Sequence, residues 1–76
     1  MDEVTAETLT DEQILAWQRS MVSSLTASSR EVDEACRNAE YAMGGRNCDL
    51  PRRIVAEARE HIAAAINARA KRGDRD

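Results

Sequence analysis

Cysteine is scarce in this chain: its 76 residues hold two, Cys36 and Cys48. That is too few for the disulfide-dense framework of a small secreted domain, and their spacing matches no CxxC pair. A zinc site drawn from Cys36, Cys48 and the single histidine, His61, would lack a fourth ligand. No stretch approaches the roughly 20 consecutive apolar residues that a membrane span requires. The opening Met1-Asp2-Glu3-Val4-Thr5 is acidic, without the basic start and apolar run of a signal peptide. These absences lead us to expect a cytoplasmic protein with reduced cysteines, no cofactor and no membrane partner. Internal repeats and low-complexity segments are also missing.

What is present is charge and helical rhythm. The net charge of −3 hides an asymmetry: Met1 to Glu34 carries eight acids against Arg19 and Arg30, whereas Ala35 to Asp76 carries nine bases against six acids. The front is acidic and the back mildly basic. A chain this short buries only about 60% of the surface its unfolded form exposes. Small domains answer that shortage with regular helix packing or a second subunit, so a homodimer is expected.

The first eight residues have no period and are expected to be loose or to drape over the domain. Thr10-Asp11-Glu12-Gln13 has the form of a capping box, with Leu9 and Ile14 as its hydrophobic staple, and sets a helix start at Asp11. Ile14, Leu15, Trp17, Met21, Val22 and Leu25 gather on one arc of that helix, with Gln18 inside it, bonded locally or facing a partner. Ser28-Ser29-Arg30-Glu31 repeats the box and predicts a second helix near Ser29. With no Gly or Pro between, one long bent helix from Asp11 to Met43 is the alternative. Val32, Ala35, Cys36, Ala39, Ala42 and Met43 form the second stripe, which Gly44-Gly45 ends. Asp49 is placed to cap a third helix from about Leu50 to Arg72, with Pro51 in its first turn and a stripe of Ile54, Val55, Ala58, Ile62, Ala65 and Ile66. The expected architecture is all-α: three amphipathic helices in a small bundle, with 1–8 a flexible N-terminal segment, 9–73 a single helical domain and 74–76 a flexible end. Its expected core is Ile14, Trp17, Met21, Val22, Leu25, Val32, Cys36, Met43, Ile54, Val55, Ile62 and Ile66.

Residues that could carry chemistry each have a plain structural reading. His61 follows Glu57 by one helical turn, the spacing of a base and its orienting acid, but it falls at the edge of a charged face. Cys36 lies on an apolar stripe, where a thiol behaves as a small hydrophobe. Gly44-Gly45-Arg46 is followed by no Lys-Ser/Thr, and no strand precedes it, so it is no phosphate loop. The pattern predicts no catalytic residue. Arg52, Arg53, Arg59, Arg69, Lys71 and Arg72 raise the alternative of a dimeric DNA-binding regulator that uses the third helix. Glu57 and Glu60 interrupt that face, however, and the stretch from Gly44 to Asp49 is longer than a helix-turn-helix connection.

Binding another protein is the expected role. Tyr41 and Arg37 fall away from the second stripe, and Arg46 and Asn47 follow its glycine stop, so these four form the predicted protein-binding patch. Against this, Tyr41 can equally pack on the N-terminal segment or the third helix, and the acidic turn Asp11-Glu12 is a competing surface. The small size, the Leu9-Thr10-Asp11-Glu12-Gln13-Ile14 opening and the Ala/Arg-rich closing helix resemble the small accessory proteins of phages and prophages. That resemblance implies a protein that binds and blocks or redirects a host protein, as anti-CRISPR inhibitors do.

Overall fold

A computed structural model describes residues 3–44 and 49–73. They form three helices, α1 (Asp11–Ser23), α2 (Ser29–Ala42) and α3 (Arg52–Gly73), and no strand among the described residues. Residues 1–2, 45–48 and 74–76, which include Gly45, Arg46, Asn47, Cys48 and the expected C-terminal end, lie outside the described residues.

The first two helices start where their local chemistry directs. Thr10 Oγ1 accepts from the Gln13 amide at 3.2 Å while Gln13 Oε1 accepts from the Thr10 amide at 2.9 Å. Leu9 and Ile14, on either side of this box, are both buried in the core. Ser28 and Glu31 repeat the exchange at the start of α2, at 3.2 and 3.3 Å. Two helices therefore replace the single long one. α1 stops at Ser23, the Ser24 amide bonds back to the Met21 carbonyl, and Ser24 and Thr26 pair through their hydroxyls at 3.0 Å. α2 ends at Ala42 with Met43 as its cap, and Gly44 just beyond has a φ of +88°, the left-handed conformation glycine accepts without strain. The start of α3 differs from expectation: Asp49 is not its cap. The helix begins at Arg52, and the carbonyl of Pro51 accepts from the Ile54 and Val55 amides.

Packing is two helix layers deep, with a shortest dimension of 17 Å. α2 lies against both α3 and α1, while α1 and α3 meet over only a few residues. Leu9, Ile14, Trp17, Ala35, Ala39, Ala42, Ala58 and Ile62 make the buried core, with Met21, Tyr41, Met43, Ala65 and Ile66 packed around it. Several expected core residues lie elsewhere. Val22 and Leu25 are exposed, since α1 turns only the arc of Ile14, Trp17 and Met21 inward and Leu25 falls beyond its end. Val32 and Cys36 are half-buried because the core meets only one side of the expected α2 stripe, a shift of roughly 40° from the stripe's centre. That side is made by the stripe's Ala35, Ala39 and Ala42, whose small side chains let the backbone of α2 come close. Ile54 and Val55 are also half-buried.

Ala39 has no exposed surface, so a larger side chain there must push α2 away from the core. Ala39→Leu is expected to cost about 1–3 kcal/mol. Ala64→Leu, the same change at an exposed position of α3, should stay within about 0.5 kcal/mol of the parent. Equal effects in urea titrations of the two would show that the alanine face of α2 is not a close contact.

The N-terminal segment drapes over the domain and is pinned there. Asn67 of α3 treats Val4 as a strand would: its Oδ1 accepts from the Val4 amide at 2.9 Å and its Nδ2 donates to the Val4 carbonyl at 2.8 Å. Thr5 and Thr8 close a turn, each hydroxyl accepting from the other's amide. Arg59 then ties three segments together. Its Nε donates to the Ala6 carbonyl at 3.0 Å, Nη1 to the Ala42 carbonyl at 3.0 Å, and Nη2 to the Leu9 carbonyl.

Candidate functional site

The orientation of α2 decides where the predicted binding residues stand. Tyr41, for which the sequence left open both the outer face of α2 and packing on the N-terminal segment or third helix, is half-buried and packs against the core cluster. Turning the alanines inward carries Tyr41, on the flank beside them, toward α3. Arg37 remains exposed on α2, and Asp11 and Glu12 are exposed at the start of α1. Arg46 and Asn47 lie outside the described residues, so of the predicted patch only Tyr41 and Arg37 are placed.

Beside Tyr41 runs a groove between α2 and α3. It is lined by Asn38, Tyr41, Ile54, Glu57, Ala58 and His61 and has a volume of about 380 Å³. Ile54 and Ala58 supply apolar surface, the tyrosine ring forms one wall, and Asn38, Glu57 and His61 bring polar atoms to it. Past His61 and Asn38 the surface dips again into a hollow of about 100 Å³ that reaches Trp17 and Met21 of α1. Glu57 and His61 thus share the groove, as their one-turn spacing predicts. Both are exposed, and no hydrogen bond or ion pair joins them among the described residues, where the one ion pair is Arg30–Glu34 at 3.4 Å.

A second concavity, of about 310 Å³, opens where α1 and α3 diverge, between Gln13, Ala16, Trp17 and Ser20 on one side and Ile66 and Arg69 on the other. It is the more uniformly apolar of the two.

The structure also redistributes the arginines of α3. Arg59, counted on the sequence as part of a basic face, is half-buried and committed to backbone carbonyls. The exposed bases that remain divide into Arg52 and Arg53 at one end and Arg69, Lys71 and Arg72 at the other, with Glu57 and Glu60 exposed between them. Sixteen residues of helix put about 24 Å between Arg53 and Arg69.

Cys36 is a free, half-buried thiol on α2. Among the described residues, no three His, Cys, Asp or Glu side chains gather where a metal ion could be held. No helix of the described residues is long and apolar enough to cross a membrane. Tyr41, His61 and Glu57 were legible as candidates from residue type and helical spacing. Asn38, Ile54 and Ala58 became part of a site only through the packing of α2 on α3, which no local pattern announces. Compared with known protein families, curated proteins and solved structures, the chain matches none of them.

Proposed function

We propose that this protein acts by binding another protein, with the groove between α2 and α3 as its contact surface and Tyr41 as the anchor. The observation that carries this reading is the make-up of the groove. An aromatic ring and two apolar side chains form its interior, and amide, carboxylate and imidazole groups stand around it. Interfaces combine an apolar centre with a polar rim in this way, and tyrosine is enriched among the residues that dominate their energetics. Arg37, exposed on the same helix four residues before Tyr41, extends the surface with a cation suited to a carboxylate on the partner. On this reading the chain is a small stoichiometric binder that blocks or redirects its partner, the mode of action implied by its likeness to phage accessory proteins.

The division of the α3 arginines supports protein binding over the DNA-binding alternative, because two separated clusters with carboxylates between them make a poor counterpart to a phosphate backbone. A photo-crosslinking residue in place of Asn38 should capture a partner from lysate of the cells in which the protein works. Tyr41→Ala should weaken that complex by about thirtyfold, the effect of losing roughly 2 kcal/mol at an anchor. Unchanged affinity with unchanged helicity would refute the reading. A complex with duplex DNA that weakens steeply with salt, and less so once Arg52 and Arg53 are replaced, would put the regulator in its place.

A further inference from the structure

α1 carries two seams, and the fold uses one. Ile14, Trp17 and Met21 face the core. Along another face run Asp11, Leu15, Gln18 and Val22, spaced four, three and four residues apart, and Leu25 follows three residues later, just past the helix end. Alternation of three and four is the spacing by which helices interlock as coiled coils. Among the described residues nothing covers this face: Leu15 is 38% exposed, Val22 51% and Leu25 101%. Gln18, between Leu15 and Val22 on this face, makes no side-chain hydrogen bond among the described residues.

Charge identifies the occupant. Glu12 and Arg19 flank the seam on one side, each just after a seam residue, and both are exposed. Neither is ion-paired among the described residues. When two such helices run antiparallel, these flanking positions of one face the same positions of the other. With Leu15 set opposite Gln18 of a second copy, Glu12 of each copy meets Arg19 of the other, twice by symmetry. Sliding the pair by one seven-residue repeat sets Arg19 against Arg19. A parallel pair would face these positions with Ile14 and Met21, which the core occupies. The charges therefore select one orientation and one register.

We propose that the protein forms a two-fold symmetric dimer through the outer face of α1, antiparallel, with Glu12–Arg19 ion pairs bracketing a seam of Leu15, Gln18 and Val22. The seam is short, so the dimer is concentration-dependent. It does not involve Tyr41 or the groove between α2 and α3 and stands apart from the proposed partner-binding role.

Sedimentation from micromolar to millimolar concentration tests this. The parent chain should pass from monomer to dimer, and Val22→Asp should abolish the transition with helicity retained. Glu12→Arg and Arg19→Glu should each weaken the dimer by about tenfold or more, by setting like charges together at both symmetric sites. An equimolar mixture of the two should recover the parent's affinity, because each then supplies the charge its counterpart lacks. Neither α1 dipole effects nor a folding defect in a single variant could produce that recovery. A parent chain that stays monomeric, single variants that dimerise like the parent, or a mixture without recovery would each overturn the proposal.

Discussion

Replacing Arg59 by alanine is expected to lower the unfolding free energy by about 2–4 kcal/mol, since one change removes three charge-assisted hydrogen bonds from half-buried backbone. The guanidinium donates to Ala6 in the N-terminal segment, to Leu9 just before α1 and to Ala42 in the last turn of α2. The third contact matters most physically. The final carbonyls of a helix have no partner within it and carry the negative end of its dipole, and α2 has no basic residue of its own in its last turn. Arg59 supplies that cation from α3. Lysine would keep the charge but cannot span three acceptors, so Arg59→Lys should recover only part of the loss. Thermal unfolding would register the alanine variant as a fall of roughly 4–8 °C per kcal/mol. Amide exchange at Thr5 and Thr8 should also accelerate as the segment detaches. A loss below about 1 kcal/mol would mean that the clamp contributes little more than an ordinary surface contact.

An equal or larger loss is expected at Ile62. Ile62 of α3 and Ile14 of α1 are the two large side chains with no exposed surface, in a core otherwise built mainly from alanine. Truncating Ile62 to alanine should cost about 2–5 kcal/mol, because the removed methyl groups leave a cavity that small neighbours cannot refill. A domain of this length has only about 4–11 kcal/mol of stability in total, so the variant should be partly unfolded near physiological temperature. Ile62→Val should cost about 1 kcal/mol. Urea titration with an unchanged slope would assign the difference to the native core, whereas a cost for Ile62→Ala no larger than that of the valine variant would show that the centre of packing lies elsewhere.

How far the sequence could be read depended on the range of the interaction involved. The boxes at Thr10–Gln13 and Ser28–Glu31 and the stop at Gly44 join residues within one helical turn, and each stands in the structure where the residue pattern placed it. Which side of the α2 stripe the core would meet was not legible in the same way. Weighting side chains by size points the helix toward Val32, Cys36 and Met43, yet Ala35, Ala39 and Ala42 are the buried positions. Alanine gives a weak hydrophobic signal but allows the closest approach of backbones, and that advantage exists only when another helix is there to approach. Tyr41 was open to two positions for the same reason, and of these the packing of α2 on α3 selected the wall of a groove.

The starts of α1 and α2 and the all-α class were therefore determined by the sequence itself, through hydrogen bonds and periodicities that close within a few residues, whereas a break or a bend between α1 and α2 was left open by it. The tertiary structure decided which face of each helix is covered, that Leu15, Val22 and Leu25 remain outside, and that Arg59 and Asn67 hold the N-terminal segment. These outcomes depend on contacts between residues as far apart as Val4 and Asn67. No local pattern encodes such contacts, because their free energy arises only once the helices have met.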